Sequence, residues 1–154
     1  MKPNLFVALA ASGLLLAGTA SAQEKKIKRS DLPPAVEKTV AAESTGATIK
    51  GFSTEKENGQ TIYEAEMTVS GHSKDISMTA DGSIVEIEEQ VAFDSLSAEV
   101  KAGLQTKAGK GKILKVESLT KKGKLVAYEA QVNTNGKKSE VQVGPDGKPL
   151  DHEE

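Results

Sequence analysis

The sequence contains no cysteine and only two histidines, and aromatic residues make up 3% of its 154 residues. The absence of cysteine excludes disulfides, thiolate metal sites and acylation of a lipoprotein cysteine. His72 and His152 lie far apart, whereas a zinc site needs several converging ligands. No Gly-x-Ser-x-Gly nucleophile motif is present. The sequence therefore predicts no catalytic, cofactor-binding or metal-binding residue, and we expect the protein not to be an enzyme.

The amino terminus has the pattern of a secretory signal peptide. Lys2 gives a positive start, residues 5–18 are apolar or small, and Ala20-Ser21-Ala22 is a small-x-small cleavage site. An uncleaved amphipathic start is the alternative. The apolar run is too short for a permanent anchor, and no later segment is apolar enough to span a bilayer. We therefore expect residues 1–22 to be removed near Ala22, giving a secreted or periplasmic protein that does not span the membrane.

The formal net charge of −2 conceals an asymmetry between the two halves. Residues 31–92 carry 12 acidic residues against 4 lysines, and residues 93–154 carry 9 against 11. A mildly acidic chain argues against general nucleic-acid binding. The asymmetry favours docking between the halves or steering of a charged partner, and an ordinary solvated surface explains it equally well.

An internal repeat organises the remaining chain. The segment Tyr-Glu-Ala-Glu-Met-Thr-Val-Ser-Gly at 63–71 returns at 128–136 as Tyr-Glu-Ala-Gln-Val-Asn-Thr-Asn-Gly, an offset of 65 residues. We assign residues 31–92 and 93–150 to two tandem repeats. The polar, basic residues 23–30 are expected to form a flexible lead-in, and residues 151–154 an acidic, solvated tail.

In the first repeat, a helix is predicted by Leu32, Val36 and Val40, whose four-residue spacing puts them on one face. Ser30 and Asp31 are candidate caps. Strands follow at 47–55, 61–70, 75–80 and 84–89, because apolar and polar residues alternate there and turn residues such as Asn58-Gly59 separate them. The unit is one helix followed by a four-stranded antiparallel meander.

The second repeat has the same predicted order of elements. Leu96, Val100 and Leu104 mark its helix, and Asp94 and Ser95 are the candidate caps. Strands open at Ile113, Val126 and Val141, and only residues 148–150 remain for a short fourth strand at the edge. The predicted fold class is α+β: two tandem repeats, each one helix packed on a four-stranded antiparallel meander. The strands form either two adjoining sheets or one eight-stranded curved sheet, with both helices on one face.

This pattern resembles the PepSY-like family of secreted bacterial domains, whose fold is similar to that of the beta-lactamase inhibitor protein. The resemblance covers essentially the whole mature chain. It rests on Leu32-Pro33 with Val36, on residues 45–49, on Tyr-Glu-Ala and Asp-Gly segments that occur twice, and on Leu96 with Val100. Ser97 stands where the first copy has proline. The resemblance implies an extracytoplasmic, non-enzymatic module that restrains peptidases or binds other envelope proteins, with no catalytic or metal residues to transfer.

Two pairs of carboxylates are candidate acid/base groups. Glu64 with Glu66, and Glu86 with Glu88, each lie on one strand face. We expect that face to be hydrated, which makes them surface residues. Tyr63 and Tyr128 lie on the apolar side of their strands and are expected in the core rather than at an interface.

Three functions are consistent with these patterns. The first is a binding module that applies the open sheet face to an envelope protein, such as a peptidase. The second is a small-ligand or metal-ion binder that uses the carboxylate-rich strands. The third, a hydrolase, has the least support. Neither the partner nor the oligomeric state follows from the sequence.

Overall fold

The structure is a computed structural model that describes residues 24–152 and 154, and the predicted signal peptide lies outside the described residues. The described residues form two α-helices and eight strands. The helices are α1 (Pro34–Glu43) and α2 (Ala98–Ala108). The strands are β1 (Lys25–Ile27), β2 (Ala47–Glu57), β3 (Gln60–Val69), β4 (His72–Thr79), β5 (Ile84–Gln90), β6 (Lys112–Lys121), β7 (Lys124–Thr134) and β8 (Lys137–Val143).

All eight strands belong to one antiparallel sheet, in which each strand pairs with its neighbours in chain order. The α+β class and the single eight-stranded sheet are therefore confirmed, and the alternative of two adjoining sheets is wrong. The halves are joined where β5 pairs with β6 over five residue pairs, from Glu86 opposite Lys121 to Gln90 opposite Glu117.

The strands are distributed differently from the predicted meanders. The lead-in expected to be flexible contains β1, which pairs with β2 and whose Ile27 packs on the first core. Residues 148–150 form no strand. There the Lys148 carbonyl accepts a hydrogen bond from the Gly144 amide in a turn (2.8 Å), and Pro149 has no amide to donate. Three strands therefore follow α2, instead of four.

The same order of elements occurs twice along the chain: a strand, a 3-10 turn, an α-helix and three strands. The 3-10 turns cover Arg29–Asp31 and Phe93–Ser95. β5 therefore precedes the second helix in the same way that β1 precedes the first. The unit boundary at residue 92, and an origin by duplication, stay predictions.

Both helices pack on the same face of the sheet. Val36 and Val40 of α1 contact a core that includes Met67, and Val100 and Leu104 of α2 contact a second core. The antiparallel register from β3 to β7 places the strand residues of both cores on one side. The single covered side of the sheet is confirmed. Leu32 and Leu96, which were predicted on the helical faces, instead reach the cores from positions just before the helices.

The two tyrosines have the role predicted for them. Tyr63 packs against the first core and Tyr128 against the second, and both are partly buried. The predicted caps of the second helix are wrong, because Asp94 and Ser95 lie in the 3-10 turn. The Ser97 hydroxyl instead accepts a hydrogen bond from the Val100 amide (3.2 Å).

The two Asp-Gly turns contact the helices. Thr39 of α1 donates a hydrogen bond from its hydroxyl to the Gly82 carbonyl (2.8 Å), and Gly147 lies against the Glu99 carbonyl of α2. Both glycines have positive φ, +80° and +77°, a conformation that side chains disfavour. Among residues 24–152 and 154, no helix is long and apolar enough to cross a membrane.

Candidate functional site

The sheet face opposite the helices carries a dense group of carboxylates. Strand alternation turns the polar residues of β3 to β7 to this side, since their neighbours in the chain form the cores. We call this surface the acidic face. Its carboxylates are Glu64 and Glu66 of β3, Asp75 of β4, Glu86 and Glu88 of β5, Glu117 of β6 and Glu129 of β7.

The acidic face is not the hydrated surface that the sequence predicted. Glu117 is 3% exposed and Glu86 is 5% exposed, although charged residues are seldom buried without partners. Leu119 and Ala127, which oppose each other on the same side of β6 and β7, are also fully buried. The pairing of Glu64 with Glu66 and of Glu86 with Glu88 on one face holds, but the expected hydration is wrong for Glu86, and the other three side chains are partly buried.

Burial shifts the ionisation of the carboxylates near both ends of the acidic face. Burial, with the charge of Asp75 adding to it, raises the pKa of Glu64 to about 7, against a lowering hydrogen bond from Ser53 (3.1 Å). Burial likewise raises the pKa of Glu129 to about 7, although Gln142 donates a hydrogen bond to its Oε2 (2.8 Å). Burial disfavours the charged form, so these groups retain protons near neutrality.

The centre of the acidic face shows the largest shift. Burial, followed by the charges of Glu86 and Glu117, raises the pKa of Glu88 to about 9. Burial and the charge of Glu117 raise the pKa of Asp75 to about 6. Burial also raises the pKa of Glu86, while its ion pair with Lys121 (3.4 Å) lowers it. Glu88 is therefore protonated at neutral pH.

Two carboxylate oxygens at this centre lack hydrogen-bond partners. Among the described residues, Oε2 of Glu86 and Oε2 of Glu88 are the buried side-chain atoms without one, although Oε2 of Glu86 lies 3.4 Å from the Lys121 ammonium in an ion pair. A buried acceptor left unpaired costs about 1–3 kcal/mol. A proton held on Glu88 satisfies part of this need, because its hydroxyl can donate to Glu86. A bound cation would satisfy it in a different way.

Three carboxylates from adjacent strands converge. One oxygen from each of Asp75, Glu88 and Glu117 lies within 4.8 Å of the others. Asp75 is directly opposite Glu88 across β4 and β5. Glu117 accepts a hydrogen bond from the Ser73 hydroxyl (3.0 Å) and forms an ion pair with Lys115 (2.8 Å), so one of the three already has a cationic neighbour. This arrangement is suited to holding a positive charge.

The sequence analysis missed Asp75 and Glu117. Asp75 opens the predicted strand 75–80, which the structure shows as His72–Thr79. Ile76 and Met78 of this strand lie in the first core, so alternation puts the Asp75 carboxylate on the opposite face. The side of the sheet on which Asp75 lies could therefore have been predicted from the sequence. Convergence with Glu117 depends on the register between β5 and β6, which crosses the predicted repeat boundary.

The structure does not bring the histidines into this site. His72 and His152 are both exposed, and His152 lies 4.0 Å from a carboxylate oxygen of Glu154. Glu154 was expected in a solvated tail. Its amide instead donates to the Gln142 side chain (2.8 Å), and its carboxylate lies 3.6 Å from Lys121. The end of the chain thus contacts the rim of the acidic face.

The Asp-Gly turns are structural rather than ligand-binding. Asp81 accepts hydrogen bonds from Thr79 and from the Ser83 amide, and those bonds lower its pKa. Asp146 accepts from the Lys148 amide and pairs with its ammonium (3.0 Å), and its pKa is lowered as well. Both carboxylates are occupied within their own turns.

Comparison with known proteins supports the fold alone. No family model matches the sequence, and no curated protein matches it. A DUF2874 family protein from Bacteroides ovatus superposes with a TM-score of 0.60 at 17% identity, covering 77% of this chain and 84% of that one. A protein from Bacteroides eggerthii with a provisional periplasmic assignment gives 0.63 at 17% identity, covering 79% and 88%.

A third solved structure connects the architecture to a named fold. A BLIP-like protein from Bacteroides fragilis superposes with a TM-score of 0.56 at 19% identity, covering 79% of this chain and 86% of that one. At these identities the likeness is one of fold. The protein therefore has a BLIP-like α+β fold.

Proposed function

We propose that the protein is a secreted, periplasmic and non-catalytic binding module, whose acidic face binds another protein of the cell envelope such as a peptidase. The observation that carries the proposal is the desolvated carboxylate surface on the side of the sheet that neither helix covers. A partner whose surface potential is complementary to such a face can bind it specifically.

The comparisons support the same class of function. The neighbour from Bacteroides eggerthii carries a provisional periplasmic assignment, and the one from Bacteroides fragilis is BLIP-like. The sequence pattern at residues 1–22 agrees with export. The resemblance to PepSY-like proteins extends the proposal to restraint of a peptidase.

Site-specific photo-crosslinking tests this proposal. A photoreactive residue at Thr48 would lie on the acidic side of β2, since its neighbours Ala47 and Ile49 pack on the core, and Thr48 is exposed. The matched control places it at Lys38, which is exposed on α1. We expect an envelope protein to crosslink in cells at Thr48 and not at Lys38. Crosslinking from Lys38 alone would contradict use of the acidic face.

A divalent cation is the second candidate ligand. The observation that favours it is the convergence of Asp75, Glu88 and Glu117 within 4.8 Å, because Ca²⁺ prefers several carboxylate oxygens. Calorimetric titration with CaCl₂ should give binding that Asp75→Asn abolishes and Glu99→Gln, an exposed change on α2, leaves intact. No heat with the native protein would remove this candidate.

A further inference from the structure

Five exposed lysines lie together at one end of the second half of the sheet. They are Lys107, Lys110, Lys112, Lys137 and Lys138, and we call this surface the basic end. Among residues 24–152 and 154, none of the five takes part in an ion pair. Their charge is therefore available to an anionic group outside the molecule.

The strand register places three of these lysines side by side. Lys112 begins β6 and is opposite Asn133 of β7, which in turn is opposite Lys138 of β8. Neighbouring strands are about 4.8 Å apart, so the backbones of Lys112 and Lys138 lie about 10 Å from each other. Lys137 is the adjacent residue at the start of β8. The two hairpin lysines therefore lie close to the start of β6.

A tight loop brings the end of α2 to the same place. Lys107 lies in the last turn of α2, and Lys110 lies in the loop that leads to β6. Gly111 of this loop packs so closely on Val132 and Thr134 of β7 that a side chain at this position would clash with both. The loop lysine is therefore held beside the β7–β8 hairpin.

A β-bulge exposes Leu114 beside the basic end. The register between β6 and β7 shifts between Ile113 and Lys115, so Leu114 is the extra residue. Bulges redirect side chains, and Leu114 is 45% exposed, the one exposed large apolar residue among those that the structure describes. β2 has a bulge in the same place, and its extra residue is the exposed Lys50. The second half thus presents an apolar side chain where the first half presents a charge.

An apolar cleft of about 540 Å³ lies next to Leu114. The start of β6, the end of α2 and the segment after β5 supply its apolar lining, which includes Val91, Phe93, Ala108, Ile113 and Leu114. Asp94 is the one acidic residue in this lining. The basic end therefore combines uncompensated positive charge with an accessible apolar surface.

We propose that the basic end docks on the surface of an anionic phospholipid bilayer, with Leu114 inserted among the headgroups and the five lysines at the level of the phosphates. Lysines near an anionic leaflet are attracted to it, and their apolar stems allow the ammonium groups to stay in the polar layer. An apolar side chain surrounded by lysines is the pattern of an interfacial contact. This surface is separate from the acidic face, and the inference does not rest on the proposed function.

Two features favour a lipid surface over an acidic protein segment. All 11 cationic residues of residues 93–154 are lysines, whereas arginine is preferred for fixed, bidentate pairing with carboxylates. Strand alternation also turns Lys137 to the helix side of the sheet and Lys112 and Lys138 to the other side. The charges therefore surround the end of the sheet, as contact with a plane of phosphates requires, and do not line a single groove.

Vesicle binding tests the inference. The mature chain, residues 23–154, is the protein to use, because the apolar residues 5–18 would adsorb to lipid by themselves. We expect it to sediment with vesicles of equal parts phosphatidylglycerol and phosphatidylcholine, and not with phosphatidylcholine alone, at about 0.15 M NaCl, where the screening length is about 8 Å. A nitroxide-labelled lipid should broaden the amide signals of residues 107–114 and 134–138.

Two variants with a matched control locate the contact. Lys112→Gln combined with Lys138→Gln should lower the affinity for the anionic vesicles about 25-fold, about fivefold for each lysine near an anionic surface. Lys122→Gln combined with Lys124→Gln removes two exposed lysines from the β6–β7 hairpin at the other end of the sheet and should leave the affinity within about twofold. Leu114→Gln changes no charge and should lower the affinity about fivefold, because it removes the inserted apolar area.

Four results would overturn the inference. Equal losses in the two double variants would show attraction by overall charge, and equal binding to the neutral vesicles would remove the role of the lysines. Unchanged affinity of Leu114→Gln would exclude insertion. Binding of a capped heptaglutamate peptide at the basic end, without binding to anionic vesicles, would assign this surface to an acidic protein segment.

Discussion

Gly103 of α2 lies against Gly147 of the last Asp-Gly turn so closely that a Cβ on Gly103 would be 2.1 Å from the Gly147 carbonyl oxygen. The contact joins the helix to the turn that follows β8. It requires glycine at both positions, since Gly147 has φ +77° and its own Cβ would meet the Glu99 carbonyl at 2.2 Å.

The first prediction follows from this contact. Gly103→Ala should destabilise the protein by about 1–3 kcal/mol, because the added methyl displaces the turn backbone. Without the contact, the same change inside a helix would stabilise by about 1 kcal/mol. Urea unfolding measures the sign, and a more stable variant would contradict the packing of the turn.

The second prediction concerns pH and the thermal midpoint. The folded protein raises the pKa of Glu64 and Glu129 from 4.5 to about 7, of Asp75 from 3.8 to about 6, and of Glu88 to about 9. The folded state then binds more protons than the unfolded state between these values. The contribution of these protonated carboxyl groups to the free energy of unfolding is fully present below about pH 4. It is lost as the pH rises towards 9.

Calorimetric scans should therefore show a melting temperature at pH 8.5 that is several degrees below the value at pH 5.5, about 3–6 °C for each kcal/mol of unfolding free energy lost. The expected trend is opposite to that of a protein held together by ionised surface pairs. A melting temperature that increases over this range would contradict burial of the acidic face.

The third prediction isolates Glu88. Glu88→Gln should stabilise the protein at pH 9 by about 1 kcal/mol or more and change it little at pH 5, where the native side chain is already neutral. Glu89→Gln is the matched control, since Glu89 is the exposed next residue on β5. Equal effects of the two changes at pH 9 would show that general charge, rather than burial at Glu88, sets the stability.

The fourth prediction compares two leucines. Leu104 is fully buried in the second core, whereas Leu114 is 45% exposed beside a cleft of about 540 Å³ between β6 and the end of α2. Leu104→Ala should cost about 3–5 kcal/mol of unfolding free energy and Leu114→Ala less than about 1 kcal/mol. Similar losses would contradict the placement of α2 on the sheet.

The elements with strong periodicity were predictable from the sequence. The four-residue spacing of Val100 and Leu104 identified a helix face, and Asn58-Gly59 identified a hairpin, because both patterns are local. The strand β1 was missed. Its three residues include only one large apolar side chain, and pairing with β2 rather than local pattern determines its conformation.

The candidate site was harder to predict for a related reason. The alternation of apolar and polar residues predicted the side of the sheet on which Glu86 and Glu88 lie, and this prediction is confirmed. Their burial depends on neighbours from other strands, such as Leu119, which lies directly opposite Glu88. The register between strands and the packing of neighbouring side chains determine the pKa values of these carboxyl groups. Neither can be read from the alternation of residues along a single strand.

The pairing of β5 with β6 has a consequence for any attempt to divide the chain. A break introduced near Ala92 would leave Asp75 and Glu88 in one fragment and Glu117 in the other, and each fragment would expose an unpaired strand edge. Neither fragment alone contains the complete carboxylate group. Mixing the two fragments restores the complete carboxylate group only when β5 pairs with β6 again.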